Sequence, residues 1–462
     1  MNKIKHNINE PGSFRDPSGF LFYRDSLIYR QINTIYKEDY DMLMDSGLYK
    51  ALTDSNLLIT HREADVDGPG PGKAYKIIKP EPVPFISYPY EWCFDQLKDA
   101  ALTTFKIQKT AMDFGMTLKD CSVYNIQFLK SSPVFIDTLS FEKYHEGNPW
   151  IAYRQACQHF LAPLALMSYT DIRLNQLFRI YMDGIPLDLA SSLLPSSTYF
   201  NPSLLSHIHL HAKSQRHYAD KAVNMDRRKI SRLSFMGLID SLESIISKLD
   251  CKTKGTEWGD YYEDTNYPAE AIEHKKEIVA KFLDRSGTGI VWDLGANDGL
   301  FSRIASSRGL YTISFDIDPI AVGKNYFQSK KNSEESILPL LLDLTNPSPG
   351  IGWENNERAS LLKRGPAEIV FALALVHHLA ISNNLPLIKI ADFFSLVCNR
   401  LIIEFVPKDD SQVQRLLSTR KDIFPDYTKE AFEVQFGKYF EIESIKEVKS
   451  SKRIMYLMEK KS

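Results

Sequence analysis

Two regimes of hydrophobic patterning divide the chain. In the later part, short apolar runs alternate with helical stretches: "GIVWDLG" (289–295) reads as a buried strand, "DGLFSRIASSRG" (298–309) as a helix closed by Gly309, and "YTISFD" (311–316) as a second strand. "IAVGKNYFQSK" is helical, "ILPLLLDL" a third strand, "AEIVFALAL" a fourth and "RLIIEFV" a fifth. Strands alternating with helices imply a parallel sheet covered on both faces, because parallel strands need crossover connections. The earlier part is patterned differently. "GFLFYRD" and "SLIYRQI" predict a hairpin around Asp25, and "YKIIKPEPVPFISY" predicts extended chain broken by prolines. Phe94, Leu97, Ala101, Phe105 and Met112 share one helical face, and after Phe141 the pattern is mostly helical. That half is therefore α+β, with strands first and helices later.

Between the two, "KSQRHYADKAVNMDRRKISRLS" clusters basic residues, "FMGLIDSLESIISKL" repeats apolar residues at helical spacing, and "DCKTKGTEWGD" is polar and Gly-containing. The expected organisation is an α+β domain over 1–215, a linker helix and loop over 216–260, and an α/β domain over 261–462. Two domains suit a chain of 462 residues, since single cores stop growing beyond ~250–300 residues.

Composition narrows the function classes. With 44% hydrophobic and 25% charged residues and a formal net charge of −2, the chain reads as an ordinary globular protein, and no nucleic-acid partner is indicated. Cys93, Cys121, Cys157, Cys251 and Cys398 are scattered singly, so neither a disulfide framework nor a metal site is indicated. "MNKIKHNINEPGSFRDPSG" has no apolar signal region, and no segment approaches the ~18 consecutive apolar residues of a membrane span, so a cytoplasmic location is expected. The pattern carries no signal for oligomeric state.

The chemistry concentrates at the ends of the later strands. Asp293 ends the first, Gly295 follows within two residues, and Asn297 and Gly299 continue the turn. This spacing is not the G-x-G-x-x-G that brings a helix N-terminus against a pyrophosphate, and an acid at Asp293 suits a cationic ligand better. The stretch "DLGANDG" resembles motif I of class I S-adenosylmethionine-dependent methyltransferases, with Asn297 replacing the middle Gly. The resemblance implies a Rossmann-like domain in which Asp293 helps hold the amino-acid part of S-adenosyl-L-methionine. It likewise implies Asp316 for the ribose hydroxyls and Asp343, in "LLLDLTNPSP", for the adenine amino group. Asp318 rivals Asp316 because "FDIDP" offers two acids, but Asp316 directly ends the apolar run.

"LALVHHLAI" places His377 and His378 at the carboxyl end of the fourth strand, and is similar to the "LHHL" motif of small-molecule methyltransferases. An imidazole near pKa ~6.5 can take the proton of an acceptor hydroxyl; the bland alternative is a His that caps the strand and packs. In extended chain the two side chains would point opposite ways, with His377 forward. Trp258, Tyr261, Tyr262 and Tyr267 offer faces to a sulfonium, and Glu404 and Lys408 share the strand-end rim with no assigned role.

In the first half, Asp120, Asn125 and Asp137 are spaced as in the catalytic loop and metal-binding acid of protein-kinase-like and aminoglycoside-kinase-like phosphotransferases. That resemblance implies Asp120 as base, with Asn125 and Asp137 on magnesium. Arg30 stands where the kinase strand carries Lys, no Gly-rich loop precedes "SLIYRQI", and "DTL" replaces Asp-Phe-Gly, which together point to a kinase-like domain that is degenerate or that binds something without phosphotransfer. Taken over nearly the whole chain, the sequence resembles bacterial methyltransferases related to host-specific nodulation proteins. The function so implied is methyl transfer to a small-molecule or saccharide acceptor, at a hydroxyl. A bifunctional kinase-methyltransferase acting on a polysaccharide end, and a noncatalytic binding module, stay open at this point.

Overall fold

The computed structural model describes residues 8–70, 72–218, 229–251, 269–418 and 421–461. Trp258, Tyr261, Tyr262 and Tyr267, and residues 219–228 and 252–260 of the expected linker, lie outside the described residues. The chain forms two compact units, one of residues 1–252 with Ile351–Arg358, the other of residues 253–350 and 359–462.

The first unit opens with a five-stranded antiparallel sheet in the order β1-β2-β3-β5-β4. Its strands are β1 (Ile8–Asn9), β2 (Gly19–Arg24), β3 (Leu27–Asn33), β4 (His61–Glu63) and β5 (Ala74–Pro80). The expected hairpin is formed by β2 and β3, and both of its turn residues, Asp25 (φ 52°) and Ser26 (φ 63°), are left-handed, as a tight two-residue turn demands. Helices Lys37–Asp45 and Leu48–Asp54 follow β3, and Ile32, Tyr36, Tyr40, Ile78 and Leu139 pack together as one core. Beyond the helix Phe94–Asp113 come two short antiparallel pairs, β6 (Met116–Leu118) with β9 (Phe141–Lys143) and, between them in the chain, the hairpin of β7 (Ile126–Leu129) with β8 (Ser132–Phe135), and then mostly helix. Helix Arg232–Lys248, read from sequence as a linker, belongs to this unit: Lys109 of the long helix reaches Asp240 at 2.6 Å and also pairs with Glu243.

The second unit is built on a seven-stranded sheet in the order β12-β11-β10-β13-β14-β16-β15. These strands are β10 (Val291–Leu294), β11 (Thr312–Asp316), β12 (Ile337–Leu341), β13 (Ala367–Ala372), β14 (Cys398–Phe405), β15 (Phe440–Glu447) and β16 (Ile454–Lys460). The five expected strands are parallel, and β16 alone runs against its neighbours. The final antiparallel pair was not anticipated from sequence. This is a Rossmann-like sheet, in which strand order reverses beside β10: the chain goes outward through β11 and β12 and returns to the other side at β13. Ligands of open α/β sheets bind at such a reversal, outside the carboxyl ends of the strands. Among the described residues no helix is long and apolar enough to cross a membrane.

One boundary differs from the sequence reading in a way that shapes the site. The helix expected from Asp298 starts at Ser302, because Asn297 (φ 51°) and Gly299 (φ 83°) are left-handed and cannot join a right-handed helix. Arg303 braces the resulting turn by donating to the Asp298 carbonyl at 2.6 Å and to Asn325 Oδ1 at 3.1 Å. A Cβ on Gly299 would lie 2.5 Å from Asn325 Oδ1. Gly299→Ala is therefore expected to cost about 1–3 kcal/mol, from a left-handed non-Gly backbone plus this clash, as urea denaturation would measure.

Candidate functional site

The turn after β10 is fastened by the neighbouring strand. Gly295 (φ 81°) and Ala296 both donate their backbone N–H groups to the Phe315 carbonyl at 2.9 Å. The next N–H, of Asn297, donates to Asp316 Oδ2 at 2.7 Å, and Asp318 N–H donates to Asp316 Oδ1 at 2.9 Å. Asp316 thus fixes both the turn and the start of the following segment. Asp318 acts elsewhere, its Oδ1 accepting from Ile320 and Ala321 as the N-cap of helix Pro319–Lys331.

A cavity of about 420 Å³ opens at these strand ends, within the size range of small-molecule and cofactor sites. Of the residues singled out from sequence, Asp293, Gly295, Asn297, Asp316, Asp343 and His378 line it. Gly299 and His377 do not. Gly299 serves the turn against Asn325. His377 is buried behind the wall, 2% exposed, with no hydrogen-bond partner at Nδ1. The reading that put His377 forward assumed that the chain stays extended past β13. Instead Ala374 is left-handed (φ 50°), His377 has helical backbone and His378–Ser382 is a helical turn, so alternation of side chains no longer applies. The two rings lie 4.2 Å apart between centroids, with His378 facing the cavity.

Burial sets the protonation of these groups. Asp293, 1% exposed, accepts from Ser302 Oγ at 2.6 Å; desolvation pushes its carboxyl up to about 7, against the opposing hydrogen bond from Ser302 and the charge of Lys275. Desolvation likewise pushes Asp316 up to about 6, with the N–H groups of Asp318 and Asn297 opposing it. The His378 imidazole is held down to about 4 by burial first and by Arg453 second. His377 is driven further down, by burial and then by His378. An imidazole titrating near its ordinary value, as read from sequence, is thus replaced by one that is neutral throughout pH 5–8. Asp343 is half-buried and its Oδ1 accepts from Thr345 N–H at 2.8 Å and Thr345 Oγ1 at 2.6 Å.

Two cavity-lining cations were missed from sequence. Lys275 Nζ donates to Glu404 Oε2 at 2.6 Å, and Arg453 lies 3.8 Å from Glu404 Oε1 while its Nε donates to Asp410 at 2.8 Å. All four side chains are buried or nearly so. Glu404 Oε2 also accepts the Ala374 N–H at 2.7 Å, which holds the left-handed residue just upstream of the two histidines. Glu404, left without a role by the sequence reading, is therefore the centre of a buried charge set. Lys408, its companion there, instead pairs with Asp422 at 2.8 Å and is absent from the cavity wall. A signal for Lys275 was present: it interrupts the apolar face formed by Ile272, Val279 and Phe282.

No protein-family model matches the chain. The chain is 35% identical over 457 residues to the nodulation protein NoeA of Rhizobium meliloti (strain 1021), an alignment covering 97% of this chain and 95% of that protein. Among solved structures, the PH0226 protein of Pyrococcus horikoshii OT3 is 16% identical over 45% of this chain and 100% of its own (TM-score 0.32). The N-methyltransferase NodS of Bradyrhizobium japonicum WM9 is 10% identical over 42% of this chain and 99% of its own (TM-score 0.30). The bifunctional kinase-methyltransferase WbdD is 13% identical over 47% of this chain and 45% of its own (TM-score 0.30).

The charge set makes a quantitative expectation. Glu404→Gln keeps the shape and an acceptor for Ala374 but leaves Lys275 and Arg453 buried without their shared carboxylate. Breaking a buried pair in this way costs about 3–5 kcal/mol, which should appear as a lowered urea midpoint with an unchanged m-value.

Proposed function

The chain belongs to the family of the nodulation protein NoeA, and we propose that its second unit transfers a methyl group from S-adenosylmethionine to the hydroxyl of a small-molecule or saccharide acceptor. The observation that carries this reading is the pair of buried carboxylates, Asp293 and Asp316, in one cavity at the reversal of strand order. Glu404 and Asp410 already balance Lys275 and Arg453. Asp293 and Asp316 consequently remain as negative charge in excess, and desolvation raises both. A ligand bringing an ammonium and a sulfonium would offset that cost, and ribose hydroxyls would find acceptor sites on Asp316 beyond the two taken by Asn297 and Asp318. When bound, S-adenosylmethionine supplies an electrophilic methyl on a cationic sulfur.

The remaining roles belong to this chain. Gly295 leaves the turn without a side chain where a ligand approaches, while Phe301 and Phe315 line the cavity with aromatic faces that attract a cation. Asp343 stands at the far strand end, where an adenine amino group would donate to it. His378, which lines the cavity and is in its neutral form above about pH 4, would take the acceptor hydroxyl's proton on a ring nitrogen. Ser382 and Asn383 line the wall beside it, and Asn383 Nδ2 donates to the His378 carbonyl at 3.0 Å. His377 packs behind and positions its neighbour.

Calorimetry on the full chain with the demethylated cofactor tests the binding half of the reading. Asp316→Ala should weaken binding by about 1–3 kcal/mol through loss of a charged acceptor, whereas Asp318→Ala should act on helix stability. The pH dependence has a defined sign. Carboxylates hold the ligand only when ionised, so affinity should fall as pH drops from 8 to 5 through the values of about 7 and about 6 for Asp293 and Asp316, approaching about tenfold per pH unit for each group. A pH-independent affinity would count against both assignments.

Turnover tests the other half. With a methyl-labelled cofactor and an acceptor identified by its mass shift, His378→Gln should slow turnover by about 10²–10⁴-fold with cofactor affinity unchanged. His377→Gln should chiefly change stability. Because His378 is depressed to about 4, the rate of the parent should stay flat from pH 5 to 8 once the cofactor is saturating, and fall only in stronger acid. Equal rates for parent and His378→Gln would show that alignment alone carries transfer.

A further inference from the structure

The first unit brings the kinase-like residues together, and does so around a charge from its own sheet. Asp120, Asn125 and Asp137 form one connected cluster. Asp120 Oδ1 accepts from the Ser122 N–H and from Gln155 Nε2, both at 2.8 Å. Asn125 Nδ2 donates to Ser140 Oγ at 3.2 Å, and Ser140 Oγ donates to Asp137 Oδ2. The other oxygen of Asp137 accepts from Leu139 N–H at 3.2 Å and meets Arg30 Nη1 at 2.5 Å. Both side chains of that ion pair are largely buried, at 12% and 14% exposure. Arg30 sits on β3, at the place where the resemblance to kinases calls for Lys, and its partner is the acid that the same resemblance assigns to magnesium.

A hard dication does not fit these residues as they stand. Magnesium requires near-ideal octahedral oxygen ligation at ~2.0–2.1 Å, and a carboxylate offers about four lone-pair sites. Three of those on Asp137 are engaged by Arg30, Leu139 and Ser140. The guanidinium would also repel the incoming ion. Among the described residues no group of three His, Cys, Asp or Glu is arranged to hold a metal. The loop between β1 and β2 is likewise held by the chain itself: Arg15 grips Glu357 through Nε at 2.5 Å and Nη2 at 3.0 Å, and a Cβ on Gly12, the loop's one glycine, would lie 2.5 Å from the Glu357 carbonyl oxygen.

We propose that Arg30 is the resident cation of this cluster, a built-in guanidinium that takes the charge position of a divalent ion, so that the first unit keeps its carboxylates together without metal. Like-charge repulsion between the gathered carboxylates Asp120 and Asp137 is met by a covalently tethered charge, which pairs with Asp137 directly. A tethered cation is present at all times and needs no nucleotide to bring it. The cluster is then permanently assembled, and a divalent-cation site lies latent behind the arginine. The inference is independent of the methyl-transfer reading, because its test has no readout in the second unit.

The test uses the full chain with manganese as the probe, followed by electron paramagnetic resonance and by thermal melting over a manganese titration. The parent should show no saturable manganese site that depends on Asp137, and no manganese-dependent rise in melting temperature. Arg30→Met, and as a second variant Arg30→Gln, should gain a saturable site and a melting temperature that rises with manganese, as expected when an ion binds only the folded state. Adding Asp137→Asn to either should abolish the gain, and Arg30→Lys, which keeps a tethered charge, should behave as the parent does. A parent site that disappears in Asp137→Asn would overturn the proposal. So would folded Arg30→Met and Arg30→Gln proteins that gain nothing.

Discussion

The second unit depends on a carboxylate that accepts hydrogen bonds from two backbone segments at once. Asp316 closes β11 and holds the N–H of Asn297, in the turn after β10, together with the N–H of Asp318, at the mouth of the next helix. Each bond is individually modest, but a buried N–H left unmet at a strand end would cost about 1–3 kcal/mol. Gly295 and Gly299 adopt left-handed backbone without steric cost and Asn297 at little, and the tie from the neighbouring strand selects this one turn. The same tie draws the carboxylate out of water. Desolvation prevails over the two N–H donors, and the acid is raised rather than lowered.

A second constraint follows from the first. A cavity walled by Asp293 and Asp316 needs positive charge nearby, and the chain supplies Lys275 and Arg453, yet Glu404 claims the first and shares the second with Asp410. Lys275 is lowered by burial even with Glu404 beside it, and Glu404 is lowered because the two cations outweigh its own desolvation. Through the Ala374 N–H this set also fixes the backbone that leads to His378. The electrostatics of the cavity and the placement of its one imidazole therefore rest on the same glutamate.

Legibility in the sequence tracked the range of the interactions involved. The parallel strands were readable because each carries its own apolar run, and the acids at their ends were readable because strand ends in such a sheet converge. Asp316 was separable from Asp318 by one local fact, that it directly ends the run. What failed were inferences that carried local geometry one residue too far. The helix after Gly299 begins only at Ser302, and the histidines follow a helical turn where extended chain was assumed. What was invisible was long-range pairing. Lys275 meets Glu404 across 129 positions and Arg15 meets Glu357 across 342, separations that no window of pattern contains. The assignment of Ile351–Arg358 to the first unit, from a stretch lying between β12 and β13, is of the same kind.

The two units answer one electrostatic problem in opposite ways. Each gathers carboxylates at a place where burial penalises them. In the first, the compensating charge is written into the strand opposite: Arg30 reaches Asp137 directly, and the hydrogen bonds of Ser140, Asn125 and Gln155 fill the remaining positions. Such a cluster is complete without a ligand, and an entering cation would have to displace an arginine that cannot dissociate from the chain. In the second, Lys275 and Arg453 are bound to other acids, and among the described residues the direct hydrogen-bond partners of Asp293 and Asp316 are neutral donors. A neutral donor lowers a buried carboxyl less than a cation does. On the proposed function, a positively charged ligand offsets the unmatched charge of the second cavity, whereas the first cluster carries its own cation.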